Sequence, residues 1–393
     1  MQLMPLPTQA PTPLPTRGPT SPPPEAPTSL SVVEEALPEG FKLRNDTVGT
    51  NKTNEIAMAS QGGYAQLEGI LTVRGGPYRQ NAAYGYAAAS EGMLEIVWQK
   101  KIGALDNWSG VGWNGQPALV RWPEDERQVM NLYDDKKEKF GLIEAIYCTL
   151  DGNIYFLDLE DGTPTRDPIN VGFPMKGSVS IDPRGIPLLY SGQGISRLTS
   201  KSGKIGLRIF SLIDGQELFM INGRDDDAYR NHGAFDSVCL VDAGSDTLIA
   251  PGENGIIYTY RLNTEYDKST GALSIKPEKG GYRYRNSTGL GVENSIAIYG
   301  HYGYFADNGA LLQCIDLNTR TPGWAAPSTD DTDSTVALDP QADGSVLLFT
   351  GCEVDMQKTG GKAYIRCFDA LTGELRWEYA EECAYDVDVN GGV

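Results

Sequence analysis

The stretch Ala363–Trp377, AYIRCFDALTGELRW, decides how the rest of the chain is read. Tyr364, Arg366 and Phe368 alternate with Ile365 and Cys367, the period-two pattern of a strand whose two faces meet different surroundings. Asp369 to Gly373 then supplies a turn, and a second strand closes on Trp377. Weaker copies lie upstream at Asn153–Gly162 (NIYFLDLEDG), Leu207–Gly215 (LRIFSLIDG), Ile256–Thr264 (IIYTYRLNT) and Leu311–Trp324 (LLQCIDLNTRTPGW). Each keeps the apolar run and the Asp or Asn at the turn, and one keeps the closing tryptophan. An apolar strand pair precedes each copy, as Ser334–Leu338 (STVAL) and Ser345–Gly351 (SVLLFTG) precede the last. The copies start about 49 to 55 residues apart, the range of a propeller blade of four strands. The repeat predicts an all-β chain of four-stranded antiparallel blades.

Composition agrees with short strands and tight turns. Of 393 residues, 40% are hydrophobic, 46 are Gly and 20 are Tyr. That length would hold two or three ordinary domains, but one repeat array accounts for it better. No run of 18 apolar residues occurs, so no transmembrane helix is expected. A formal charge of −19 and a pI near 4.6 argue against nucleic acid and anionic lipid as partners, since a polyanion would be repelled. Cys148, Cys239, Cys314, Cys352, Cys367 and Cys383 fall in or beside apolar strands, where free cysteine behaves as a small hydrophobe. Cys352 and Cys367 fall on neighbouring strands, which leaves a disulfide open if register allows.

Strand, Asp-Ala-Leu-Thr-Gly-Glu turn, strand and Trp together resemble the repeat of the pyrroloquinoline-quinone-like (PQQ-like) β-propellers. The resemblance runs over roughly Leu67–Val393, and Leu94–Gly103 (LEIVWQKKIG) is similar to the outermost strand of such a blade. It is specific for fold and unspecific for function. It implies about six blades here, where relatives carry roughly seven or eight. It also implies that Trp98, Trp324 and Trp377 are packing residues that dock one blade on the next. One related propeller is a scaffold in outer-membrane assembly, while others are quinone-dependent dehydrogenases. Many such dehydrogenases hold the quinone with adjacent cysteines and a calcium-binding Glu, Asn and Asp set. This sequence has no adjacent cysteines and that set cannot be assigned, so PQQ is not expected as a cofactor.

Met1–Pro38 is Pro- and Thr-rich, a composition that favours extended polyproline II over helix or sheet and reads as a disordered stalk. A stalk before residues 39–393 suggests a bacterial lipoprotein or secreted protein, extracellular or anchored at the cell surface, whose signal segment or lipid anchor lies outside this chain; the alternative is a disordered tail on a cytosolic protein. Phe41–Gly63 is read as loops with an edge strand, and Glu68–Arg74 and Met93–Lys100 as strands. Asn107–Trp122 begins the first full blade, with a charged excursion at Pro123–Lys139. Later blades are expected at Met175–Gly223, Phe235–Lys276, Glu293–Ser328 and Asp330–Glu382. Tyr385–Val393 (YDVDVNGGV) reads as the innermost strand of one more blade, and C-terminal truncation is expected over closure by the strands before Gly103.

The first strand of each blade lines a propeller's channel, and the loops leading into it form the mouth. Aligned, those loops offer Asn114, Lys176, Asp236, Glu293, Asp333 and Asp388. Such a ring suits a cation, a metal ion or an amine-bearing ligand. The plainer reading is solvated acids paired with Arg224, Arg230, Arg283 and Arg285. Asp386, Asp388, Asn390 and Gly391 spell the opening of an EF-hand loop, but the required twelfth-position Glu is missing, so only a looser calcium contribution from Asp386 and Asp388 is expected. Trp108, Trp113, Tyr229, Phe235, Tyr282 and Tyr284 flank the same loops, suited either to ligand stacking or to packing between blades. His232 lies near Asp236 and Ser237, but no nucleophile elbow supports a triad. Asp225–Asp227 and Asp330, Asp331 and Asp333 are acid groups of the kind glycoside hydrolysis needs in pairs. The expected function is a non-catalytic extracellular propeller that works as a monomer. It binds a protein or saccharide ligand at the channel mouth through Asp236, Glu293, Asp333, Asp388, Trp113 and His232. The alternative is an enzyme in that pocket, a quinone-dependent dehydrogenase or a carboxylate-based carbohydrate enzyme.

Overall fold

Near-continuous apolar runs such as Leu188–Gly192 and Thr247–Gly252 bury both faces of the inner strands, which the chain achieves by stacking sheets side by side. The computed structural model describes residues 26–27, 30, 41–51, 55–85, 92–112 and 115–382. Five antiparallel sheets follow in chain order, each built on four strands of a repeat, beside two hairpins, Ala104–Leu105 with Trp108–Ser109 and Glu265–Asp267 with Ala272–Ser274; the second is inserted in the expected blade Phe235–Lys276 and moves its last strand out to Gly280–Arg285. Blade I comprises Ala118–Arg121, Glu144–Cys148, Asn153–Asp158 and Ile169–Asn170, and blade II Val179–Ile181, Leu188–Gly192, Gly206–Ser211 and Glu217–Asn222. Blade III comprises Leu240–Asp242, Thr247–Gly252, Ile256–Arg261 and Gly280–Arg285. Blade IV comprises Ala297–Tyr299, Tyr302–Ala306, Leu311–Asp316 and Thr321–Pro327, and blade V Ala337–Pro340, Val346–Cys352, Lys362–Asp369 and Leu375–Glu382.

Period two decides which neighbour each side chain meets. In blade II, Leu189 and Phe210 pack with blade I, while Leu188, Tyr190 and Ile209 pack with blade III. Blades III and IV share a further core, as do IV and V. Each fully buried Leu, Ile or Phe contributes about 1.5–3 kcal/mol, so the interfaces between blades carry most of the stability. Among the described residues no such core joins blade V to blade I.

The repeat motif has a local cause. Asp369 Oδ1 accepts the backbone N–H groups of Leu371 (2.9 Å) and Thr372 (3.1 Å). Gly373, at φ 79°, closes the turn in a conformation that side chains resist. Trp324 Nε1 then donates to the Ala370 carbonyl at 2.8 Å, with the indole beneath Gly373. Trp98 does the same for blade I, donating to the Leu159 carbonyl at 2.9 Å beneath Gly162. A tryptophan ahead of each of these blades docks under its turn.

Several expectations need correction. Five blades stand among the described residues, and the sixth, expected to begin at Tyr385–Val393, lies outside them. Met93–Lys100 is irregular rather than a strand, with no strand beside it among the described residues to satisfy its backbone. Only Glu68–Ile70 of Glu68–Arg74 is strand, followed by a 3-10 turn at Val73–Gly75 with Arg74 at φ 55°. The excursion Pro123–Lys139 holds two short helices, Glu124–Val129 and Asp134–Lys137. Cys352 and Cys367 are free. They lie opposite Tyr364 and Phe349, so about 10 Å of strand separates them, beyond disulfide reach. The edge strand expected within Phe41–Gly63 is present as Arg44–Gly49, paired outside Gly280–Arg285 of blade III. Ala26 and Leu30, within the Pro- and Thr-rich stretch, pack against the core shared by blades IV and V. Cys383 and Tyr385–Val393 lie outside the described residues.

One segment holds the five blades together at their axis. Glu68–Ile70 pairs with the innermost strand of blade I, and the Leu71 carbonyl accepts Ile181 N–H of blade II at 2.8 Å. Thr72 Oγ1 donates to the Cys239 carbonyl of blade III at 3.2 Å. The Pro77 carbonyl accepts Ile298 N–H of blade IV (2.8 Å), and that of Tyr78 accepts Leu338 N–H of blade V (2.9 Å). Arg79 is 1% exposed and clamps the strap, donating to the carbonyls of Ile296, Val73 and Val238 and to Thr72 Oγ1, each at 2.9 Å. The strap thus crosses the innermost strands of all five blades.

Candidate functional site

The strap's rim contains a ring whose register is set by hydroxyl groups. Gln116 N–H donates to Ser178 Oγ, Val238 N–H to Ser295 Oγ, and Ser295 N–H to Thr335 Oγ1. These bonds lock neighbouring innermost strands at one level. Two residues earlier in blades II to V stand Lys176, Asp236, Glu293 and Asp333. The aligned loops of the sequence therefore do deliver one charged side chain per blade to the same end. Arg79 and Arg74 bind the Val238, Ile296 and Thr335 carbonyls two or three residues further along, so the strap lies deeper than the ring.

A second tier comes from the turns after each second strand. Glu253 follows Gly252 in blade III, Asn308 occupies the blade IV turn and Glu353 follows Cys352 in blade V. Carboxylate oxygens of Asp236, Glu253 and Glu293 lie within 4.8 Å of one another. Lys176 Nζ stands 2.9 Å from Asp236 Oδ2. Asp236 Oδ1 is buried without a hydrogen-bond partner, and a Cβ at Gly194 would crowd it at 2.5 Å. His232 Nε2 lies 2.8 Å from Glu253 Oε2, and Arg230 donates to the Glu253 carbonyl at 3.0 Å. Asn308 Nδ2 donates to Glu293 Oε1 at 3.0 Å, while its own Oδ1 is buried without a donor.

Crowded acids hold their protons. Burial, then the charge of Glu253, pushes Asp236 up to about 7 against the pull of Lys176. Burial, with Glu253, Asp333 and Asp236 close by, pushes Glu293 up to about 9. Burial and Asp333 lift Asp331 to about 8. Burial disfavours the Lys176 charge, but Asp236, Glu293 and Glu253 outweigh it and its pKa rises. Chemically, the cluster can exchange protons for a cation or donate a hydrogen bond from a neutral carboxyl. Asp236, Glu253 and Glu293 form an oxygen donor set of the kind calcium takes.

Other sequence expectations separate here. Trp113, Asn114, Asp386 and Asp388 lie outside the described residues. The expected pairing of ring acids with Arg283 fails, because Arg283 binds Asp46 at 2.8 Å; of the four expected arginines, Arg230 reaches the cluster, at 4.0 Å from Glu253, among the described residues. Phe235, Tyr282 and Tyr284 are core residues, at most 1% exposed, because their strands are enclosed between blades. Tyr229 lies between the guanidinium groups of Arg44 and Arg283, at 4.4 and 4.5 Å. No triad forms: His232 faces Glu253, and the Ser237 hydroxyl donates to the Pro251 carbonyl at 2.5 Å. Asp225 and Asp227 are held by Lys279, each at 2.7 Å, and Asp330 accepts Met356 and Gln357 N–H groups. Those acids are bound into structure rather than set across a cleft. Sequence reading missed Glu253, Asn308 and Glu353, and named Asp331 only among acids that could serve glycoside hydrolysis. Aligning the turns Ser191–Gly194 (SGQG), Pro251–Gly255 (PGENG), Ala306–Gly309 (ADNG) and Gly351–Val354 (GCEV) would have found the first three.

No protein-family model matches the chain, and neither does any curated sequence. Solved structures do. Quinohemoprotein alcohol dehydrogenase from Comamonas testosteroni superposes at TM-score 0.50 with 12% identity, covering 81% of this chain. The chain spans 50% of that enzyme's length. BamB from Moraxella catarrhalis matches at TM-score 0.42 and 15% identity, over 86% of this chain and 79% of BamB. The computationally designed Ika8 protein matches at TM-score 0.34 and 14% identity, over 61% of this chain and 59% of Ika8. At such identities the likeness to the dehydrogenase concerns fold alone. The chain has the PQQ-like β-propeller fold.

Proposed function

We propose that this chain is a binding propeller whose acid-ringed mouth takes a cationic group, and that it works without catalysing a reaction. The observation that carries the reading is Asp236, a wholly buried carboxylate with one oxygen unpartnered, clustered within 4.8 Å of Glu253 and Glu293. Placing carboxylates so close costs electrostatic energy that a bound cation recovers. Calcium fits the oxygen donors, and so does the ammonium of a basic protein or amino-sugar ligand. We place the propeller at the cell surface, with Met1–Pro38 as its tether.

Thermal unfolding of the full chain with calcium, magnesium, spermidine or calcium plus quinone tests this. Calcium at about 100 times its Kd should add roughly 2.7 kcal/mol, a rise of a few degrees. Asp236→Asn or Glu293→Gln should remove that rise, while the exposed-turn variant Asp343→Asn keeps it. A shift with spermidine alone assigns the ring to ligand ammonium groups. A shift that requires quinone as well favours a dehydrogenase, and no shift with any of these overturns the reading.

A further inference from the structure

The turn of blade II is built like those of blades I and V. Gly215 (φ 76°), Gly162 (φ 71°) and Gly373 (φ 79°) close them, donating to the carbonyls of Ser211, Asp158 and Asp369 at 2.9, 2.8 and 2.8 Å. What docks beneath them differs. Trp98 and Trp324 donate to the Leu159 and Ala370 carbonyls, whereas the corresponding Leu212 carbonyl accepts Arg166 Nη1 at 3.0 Å. Arg166 is buried and neutralised by buried Glu144, with Nη2 2.9 Å from Oε2. A guanidinium fills less space than an indole, and the outermost strand of blade I is only Ile169–Asn170. Asn131 and Ile169 are the side chains nearest Gly215, at 3.4 and 4.0 Å from where a Cβ would stand. With no indole beside this turn, a cleft of about 530 Å³ is left open between blades I and II.

Two insertions that the repeat does not require frame the cleft. Asn131 belongs to the excursion Pro123–Lys139, and its N–H reaches the Leu212 carbonyl at 3.5 Å. The hairpin of Glu265–Asp267 with Ala272–Ser274 holds that excursion from blade III. Tyr266 Oη donates to Glu126, Lys268 Nζ stands 2.9 Å from Asp125 Oδ2, and Gly271 lies against Val129 and Ile213.

The lining is apolar at Ile169, Val171 and Phe210, with Phe210 only 4% exposed. Around them stand four side chains, each fixed by one bond. Asp167 Oδ1 accepts the Tyr133 hydroxyl at 2.6 Å, and Asn170 Nδ2 donates to Asn153 Oδ1 at 2.7 Å. Asp214 Oδ1 accepts Gln216 N–H at 3.1 Å, and Glu217 Oε2 accepts Arg208 Nη1. Each therefore has a second oxygen to offer, and Asn131, whose Oδ1 accepts Arg166, has its Nδ2 to donate. Among the described residues, the three carboxylates that converge within 4.8 Å of one another are those of the mouth, so Asp167, Asp214 and Glu217 stand apart. Spaced acceptors with an amide donor suit a set of hydroxyl groups, each of which both donates and accepts, better than they suit one cation.

We propose that this cleft is a second binding site, separate from the mouth, and that its ligand is a neutral oligosaccharide. The apolar face of a pyranose ring lies on Ile169, Val171 and Phe210. Its hydroxyls donate to Asp167, Asn170 and Asp214, and Asn131 Nδ2 donates back. The volume falls in the range of small-molecule sites, roughly 300–1,000 Å³.

Microcalorimetry of the full chain with maltotriose, cellotriose, mannotriose and triacetylchitotriose tests this. At least one should bind with a Kd below about 1 mM and slow amide exchange in residues 167–171 and 212–217. Raising the salt tenfold should change that affinity by less than about twofold, since no ion pair forms. Asp214→Ala should weaken binding roughly tenfold, the loss of one hydrogen bond to a charged acceptor. Ile169→Trp, which supplies the indole this turn lacks, should abolish binding without lowering the melting temperature. Binding of none of the four sugars, or binding that survives Ile169→Trp in a folded chain, overturns the proposal. So does protection of the same amides by spermidine and not by sugars, which assigns the cleft to a cation. Should Ile169→Trp fail to fold, unchanged affinity in both Asp214→Ala and Asn170→Ala overturns it equally.

Discussion

At Asp236 and Glu293 the carboxyl groups keep protons at pH values where an exposed acid has lost them. Burial is the first cause and the charges of Glu253 and Asp333 add to it. Because both pKa values are raised, the folded chain binds these protons more tightly than the unfolded chain does. Their stabilising effect is therefore full below the unfolded carboxyl range, roughly pH 4, and is lost as pH climbs through about 7 and about 9. The melting temperature in calcium-free buffer should accordingly fall between pH 5 and pH 9, and Glu293→Gln should flatten the upper part of that fall. An equally steep fall in Glu293→Gln would place the titration elsewhere. Asp236 and Glu293 were legible in the sequence because each precedes an innermost strand. Glu253 was not, since its turn had not been aligned with those of the other blades.

The element that the sequence concealed is the axial strap. Arg79 binds the carbonyl of Val238, 159 residues away, and that of Ile296, 217 residues away, so no local pattern announces it. Its guanidinium is fully buried among carbonyls, and burial lowers its pKa to about 10. Arg79→Ala would strand those carbonyls away from water and should cost on the order of 3–5 kcal/mol in urea unfolding. Arg79→Lys should recover only part of it, because one ammonium cannot span the positions the guanidinium fork reaches. A loss below about 1 kcal/mol would mean that the strap is not clamped by this residue. Strand Glu68–Ile70 was readable from its alternation, whereas the left-handed Arg74 and Arg79 (each φ 55°) obey the geometry of the channel rather than any residue preference.

Across the whole molecule, stability resides in the couplings between neighbouring blades. Trp324→Ala should cost roughly 3–5 kcal/mol, since it empties the interface of blades IV and V and breaks the bond to the Ala370 carbonyl. Trp377→Ala in the 393-residue chain should cost under about 1 kcal/mol, because much of that indole is already in water. Equal losses in guanidinium unfolding would show that the two tryptophans share one environment after all. The amino-acid sequence by itself determined the repeat, the four-stranded sheets, the docking of Trp98 and Trp324 though not of Trp377, and the level at which Lys176, Asp236, Glu293 and Asp333 meet. It did so because alternation, turn chemistry and repeat spacing are local and recur five times. Only the tertiary structure decided that Glu253 and Asn308 join those acids, that Cys352 and Cys367 stay apart, and that a strap crosses the axis. Those outcomes depend on strand register and on contacts between residues far apart in the chain, which no short stretch of sequence encodes.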